Sequence, residues 1–290
     1  MDMSATPGTP VQLLDRTAGA RSLPLPASAM HSWLPPSRCD TITDANASRY
    51  IILSRPRSMS TTLCQLLNAH PRLRCDFELL NPQAYYVNRM LSLSGMAGQL
   101  STHNDLMSNL DEVLHRYWAR CPPGTGCGFK VFGGIPIEHL APPASLRQLF
   151  LQPCNVKYIL LERNFKAQYR SHMKAISSNN WATSPAVRQV GHVRPISPGE
   201  RPQADEILAQ WTPAVALREH NAWHSSIVAA ASANGRPLLR IAAEDLMEMN
   251  WARTNGSTMR RVMRFLGVHP LTHAQLQKVE TQAECCVRRR

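Results

Sequence analysis

Tyr50-Ile51-Ile52-Leu53-Ser54-Arg55-Pro56-Arg57-Ser58-Met59-Ser60-Thr61-Thr62-Leu63-Cys64-Gln65-Leu66-Leu67 passes from an apolar run, through a basic and hydroxyl-rich loop, into a second apolar run of helical character. It reads as strand, tight loop and helix start. The N–H groups of a first helical turn have no partner within the helix, and the helix dipole favours an anion there. The arginines and the serine and threonine hydroxyls of this loop have the chemistry to complete a phosphate site. The plainer alternative makes the hydroxyls simple helix caps. The flanking arginines favour the anion.

Working outward, the same alternation recurs. Residues 73–77, 128–132, 156–161 and 237–241 read as strands. Residues 83–93, 104–119, 164–176, 205–233 (with a kink at Pro213) and 254–266 (closed by Gly267) read as helices, with a further helix in the later part of 135–150 and a last one over 272–285. Strands alternating with helices predict an α/β fold of three layers, a mostly parallel central sheet flanked by helices, P-loop-like in plan. Ligands of such sheets sit beyond the carboxyl ends of the strands. That places the Arg57 loop, the end of the 156–161 strand and Lys130 around one crevice. Residues 1–47, rich in Pro, Ser, Ala and Thr, read as a disordered leader, and 48–290 as the folded domain. Residues 177–204 read as a mobile loop of the kind that selects substrates.

The chain of 290 residues is long enough to bury a sizeable core, and 43% of it is hydrophobic. The net charge of +12 fits an anionic ligand, a nucleic acid or a membrane surface without choosing among them. The eight cysteines form no C-x-x-C pair and no zinc spacing, and several sit in apolar segments as small hydrophobes. They point to a reducing, cytoplasmic setting. No signal-peptide pattern or membrane-spanning run is visible. No metal-ligand spacing is found among the histidines.

A second basic constellation follows the 156–161 strand. Arg163 stands directly after it, and Ser171 lies eight positions on in the next helix. Two phosphate sites on neighbouring strands suit a nucleotide phosphorylated at both ends of its ribose. Pro56-Arg57-Ser58-Met59-Ser60-Thr61-Thr62 resembles the 5'-phosphosulfate loop of the sulfotransferases that use 3'-phosphoadenosine 5'-phosphosulfate. Ile159-Leu160-Leu161-Glu162-Arg163 through Ser171 is similar to their 3'-phosphate motif. Ile241-Ala242-Ala243-Glu244-Asp245-Leu246 and Arg264-Phe265-Leu266-Gly267-Val268 look like their late strand, turn and closing helix. The resemblance covers about residues 49–268. It leans toward the bacterial and carbohydrate-directed enzymes, on Arg57, Cys64-Gln65-Leu66-Leu67-Asn68, the Glu78–Pro82 turn and Gly128-Phe129-Lys130. Two departures stand out: Met59 occupies the place of a usual glycine, and Ala243 that of a frequent aromatic.

The resemblance implies sulfuryl transfer from 3'-phosphoadenosine 5'-phosphosulfate to an acceptor hydroxyl, of a carbohydrate or small molecule, with no metal and no nucleic-acid partner. Glu78 would be the catalytic base, with Arg57 and Lys130 stabilising the transferred group. Arg55, Arg57, Ser58, Met59, Ser60, Thr61, Thr62, Arg163 and Ser171 would bind the nucleotide. The alternatives are a catalytically impaired nucleotide- or polyanion-binding protein of the same fold, and a P-loop kinase. The kinase would need Gly-x-x-x-x-Gly-Lys-Ser/Thr, which the loop lacks.

Overall fold

A computed structural model of the chain describes residues 48–81, 84–133, 149–150, 156–177, 211–247, 257–270, 272 and 274. All belong to one compact unit, Arg38–Arg290. The expected leader, the 177–204 loop beyond Ser177, the helix expected late in 135–150 beyond its last two residues, and nearly all of the last helix lie outside the described residues.

The centre is β1 (Arg49–Ser54), buried at every position. Its two faces are both apolar: Tyr50 and Ile52 point one way, Ile51 and Leu53 the other. A strand covered on both faces reads as a continuous apolar run, which is why the sequence marks it so clearly. Around it stand β2 (Leu73–Glu78), β3 (Gly126–Phe132), β4 (Val156–Glu162) and β5 (Leu238–Ala242), in the order β2-β3-β1-β4-β5. Every pairing is parallel. The fold is α/β with an all-parallel five-stranded sheet.

Helices cover both faces. On one, α1 (Ser60–Asn68), α7 (Ala243–Met247) and α8 (Ser257–Leu266) pack Leu63, Leu67, Leu246, Val262 and Leu266 against Tyr50, Ile52, Ile159 and Leu161. On the other, α2 (Ala84–Ser94), α3 (His103–Ser108), α4 (Leu110–Ala119) and α6 (Pro213–Ala233) bury Met90, Leu106, Val113, Tyr117 and Ile227 against Ile51, Leu53, Phe129 and Leu160. Helix α5 (Phe165–Ser177) follows β4.

Three local expectations need correction. The helix expected over 104–119 is two helices, because Thr102 and Asp105 form a capping box for a short first one and Asn109 (φ −115°) breaks from helical geometry. Pro213 does not kink a long helix. It is the first residue of α6, capped by Thr212, where its missing N–H costs nothing. The cysteines are not all separate small hydrophobes: Cys64 on α1 is bridged to Cys75 on β2, and Cys121 to Cys127, with Cα separations of 5.3 and 6.1 Å. Cysteine usage therefore no longer supports a reducing compartment. Among the described residues no helix is long and apolar enough to cross a membrane.

Candidate functional site

The carboxyl ends of β1, β2, β3 and β4 bring together residues far apart in sequence. The loop after β1 is tightly folded. Arg57 and Met59 both adopt left-handed backbone, at φ 67° and 63°. For a residue with a Cβ that conformation costs about 1–2 kcal/mol. Met59 thus takes the positive φ that a glycine at this place would adopt freely. Such strain persists where its surroundings over-determine it, and it clusters at ligand sites.

The surroundings come mainly from α5. Arg163, just past β4, donates from Nη1 to the Arg57 carbonyl oxygen at 2.5 Å. Arg57 Nε donates to Ser171 Oγ at 3.1 Å. Gln168, one turn before Ser171, donates from Nε2 to the Pro56 carbonyl at 2.9 Å and to Ser58 Oγ at 2.8 Å. The Arg163 guanidinium thus meets the Arg57 backbone, and the Arg57 guanidinium meets Ser171, so residues read from separate motifs share one junction. Arg163 Nε is buried with no hydrogen-bond partner among the described residues, a donor still to be satisfied at that junction. Ser58 and Ser60 are buried, and α1 starts at Ser60 with no side-chain cap on its N-terminus. The hydroxyls of this loop are not serving as its cap. Thr61 and Thr62 lie half-buried in the first turn.

A second cluster sits beside it. Lys130, near the end of β3 and 2% exposed, reaches Thr61 Oγ1 at 2.8 Å and Glu78 Oε1 at 2.9 Å. Its ammonium also lies 4.6 Å from the Phe132 ring centroid. Glu78 stands opposite Lys130 because of a register shift in β2 between Cys75 and Glu78, where Phe77 takes φ 60°. Bulges of this kind re-aim side chains. The other Glu78 oxygen accepts from Asn81 Nδ2 at 3.1 Å. The carboxylate expected as a base is thus paired with the buried Lys130, and joined through it to Thr61 of the loop after β1.

Arg55 is buried in a recess with Pro56, Gln168 and the rings of Phe165, Tyr169, His172 and Trp211. Burial lowers its guanidinium to about 10, against the favourable charge of Glu219, so it stays cationic at neutral pH. His172 stacks edge-on to Trp211 at 5.0 Å. Burial first, then the charges of Arg55 and Arg57, push it down to about 3. At that value the ring is neutral at physiological pH. Across from it on α6, His220 is lowered to about 4, by burial first and then by His224 and Arg55.

Sequence reasoning missed Gln168, His220, Trp211 and Asn81. For Gln168 a signal existed: it precedes Ser171 by three positions, so both share one helix face. Among the described residues no group of three His, Cys, Asp or Glu is placed to hold a metal ion. In chemical terms the site offers two guanidiniums, buried hydroxyls and an uncapped helix start for oxyanions, beside a carboxylate–ammonium pair.

No family model matches the chain. No curated protein matches it either. Among solved structures it is similar to the sulfotransferase domain from the Synechococcus PCC 7002 olefin synthase, with 18% identity over 79% of this chain and 76% of that one, at a TM-score of 0.42.

Proposed function

We propose that the chain is a sulfotransferase that takes 3'-phosphoadenosine 5'-phosphosulfate as donor and a hydroxyl, of a carbohydrate or small molecule, as acceptor. The observation that carries this reading is the junction of Arg57, Arg163 and Ser171, supplied by the ends of adjacent strands β1 and β4. A ligand with phosphate groups at two ends suits cationic groups drawn from two strand ends. The buried, unsatisfied Arg163 Nε fits such an anion.

The donor supplies the sulfuryl group and a bisphosphate leaving group. The acceptor oxygen forms the new bond to sulfur as the bond from sulfur to the 5'-phosphate oxygen breaks, releasing adenosine 3',5'-bisphosphate. Ser60, Thr61 and the N–H groups at the start of α1 would hold the 5' end, with Arg57 placed for the charge on the departing oxygen. Arg163 and Ser171 would hold the 3' end. Glu78 would take the acceptor proton, which requires it to exchange its contact with Lys130 for one with the incoming hydroxyl. Lys130, freed from the carboxylate, would still be held by Thr61 and face the transferred group.

A second reading, a nucleotide-binding protein of this fold without turnover, is favoured by one observation: both Glu78 oxygens are already engaged, by Lys130 and Asn81. Calorimetry with adenosine 3',5'-bisphosphate in magnesium-free buffer, followed by transfer of labelled sulfate to a panel of sugar hydroxyls, separates the two. The sulfotransferase reading expects saturable binding, loss of about tenfold or more in Arg57→Ala and Arg163→Ala, and turnover that falls in Glu78→Gln more than affinity does. Saturable binding without turnover leaves the second reading. No binding, or equal binding by both arginine variants, removes the nucleotide site.

A further inference from the structure

Arg57 is one of two left-handed residues in the loop, and its side chain reaches Ser171. The residues on either side of it are both held by one amide. Gln168 is 6% exposed, and its Nε2 donates to the carbonyl of Pro56 and to the hydroxyl of Ser58. A carbonyl oxygen can only accept, so the amide nitrogen must face the loop. The amide oxygen then faces α6, where His220 Nδ1 lies 3.0 Å away. That oxygen can only accept, so His220 must carry its proton on Nδ1. The orientation of the amide and the tautomer of the ring follow from one chain of donors and acceptors, with no choice left open. The ring itself is fixed from the side by Phe165, 5.6 Å away and edge-on, and by His224 at 4.1 Å.

We propose that Gln168 is the positioning residue of the anion loop: its carboxamide staples the residues flanking left-handed Arg57, and His220 fixes which way round that carboxamide sits. The proposal rests on the reading of this loop as the cradle for the donor's 5' end. It goes further by assigning the loop's shape to a residue between Arg163 and Ser171 that is not among those read as binding the nucleotide. Gln168 touches no reacting atom; it acts through Pro56, Ser58 and the placement of Arg57. His220 is neutral at physiological pH, and a protonated ring would still donate from Nδ1, so the staple does not open on mild acidification.

The test uses the full chain and two variants, Gln168→Met, which keeps the volume and removes the amide, and His220→Leu, which removes only the donor behind it. Hydrogen exchange of the 57–60 amides is read against amides of β1 and β4. The expected result is exchange about tenfold faster in the loop for Gln168→Met, and several-fold faster for His220→Leu, with the strands unchanged. If Gln168→Met fails to fold, His220→Leu alone carries the same expectation. Loop exchange equal to the parent's overturns the proposal. Binding gives the second readout. Gln168→Met should lose about tenfold in affinity for adenosine 3',5'-bisphosphate and keep that for adenosine 3'-monophosphate. Equal loss for both nucleotides means general damage and also overturns it. If the parent binds neither nucleotide while the loop amides still exchange faster in the variants, the staple stands and the nucleotide reading falls.

Discussion

Removing the negative charge of Glu78 should cost the fold more than any surface ion pair would, because of what it leaves behind. The Lys130 ammonium is 2% exposed and 2.9 Å from the carboxylate. At an effective dielectric of about 20 the gross attraction at that distance is about 6 kcal/mol, most of it offset by desolvation. Stranding one buried partner usually costs about 3–5 kcal/mol. Lys130 would keep Thr61 Oγ1 and the Phe132 ring, so Glu78→Ala is expected near the lower end, about 3 kcal/mol. Glu78→Gln leaves an amide oxygen to accept and should cost about 2 kcal/mol. Lys130→Met leaves a carboxylate that is 13% exposed and still bonded to Asn81, at about 1–2 kcal/mol. The double variant Glu78→Gln with Lys130→Met should recover at least about 1 kcal/mol of the summed losses. Urea unfolding of the four proteins, compared at constant m-value, measures this coupling. Losses that add to within about 0.5 kcal/mol would refute the pairing. The same cycle bears on chemistry: if Glu78 takes the acceptor proton, the double variant regains stability without regaining turnover.

Further expectations concern the frame around the site. Gly128→Ala should destabilise by about 3 kcal/mol, a fall on the order of 10 °C in Tm, because its Cβ would lie 2.3 Å from the Tyr50 carbonyl oxygen on the neighbouring strand, which cannot yield. Met59→Ile, β-branched at a positive φ, should cost about 1–2 kcal/mol. Met59→Gly should stay within about 1 kcal/mol of the parent, since the relieved backbone offsets the lost half-buried side chain and the added chain entropy. His172 adds a pH dependence. Its folded pKa of about 3 lies below the unfolded value of about 6.5, so the unfolded chain binds the extra proton first. Its contribution is fully present above about pH 6.5 and is lost as pH falls toward 3, at up to about 1.4 kcal/mol per pH unit. Urea midpoints at pH 7 and pH 5 should therefore differ less in His172→Phe than in the parent.

Much of the frame was legible because strands buried on both faces declare themselves as apolar runs; Tyr50–Leu53 and Val156–Leu161 needed no partner to be recognised. Sheet order was not legible, since nothing in β2 names β3 rather than β1 as its neighbour. Within the site, Arg57, Arg163 and Ser171 are legible from their positions after strands, and hydrogen bonds link them, Arg163 to the Arg57 carbonyl and the Arg57 side chain to Ser171. Strain at Met59 was visible as a side chain where glycine is expected. Strain at Arg57 and Phe77 was not, because long-range contacts to α5 and β3 impose it. The resemblance names Glu78 as a base, but its pairing with Lys130 depends on a bulge that periodicity does not encode. Pro213 shows the converse: a proline that would kink one helix opens another equally well, so the residue alone does not tell a kink from a helix start.

The strand order also governs how the chain can be made. β1 and β2 are consecutive in sequence yet never touch as strands; the slot between them is filled by β3, which begins at Gly126. A nascent chain leaving the ribosome N-terminus first must hold two unpaired strand edges apart until some fifty further residues emerge. The Cys64–Cys75 bridge, closed within that early segment, would tether α1 to β2 before the sheet exists. A chain stalled before Gly126 would therefore expose both edges and should associate with other copies rather than rest as a folded fragment.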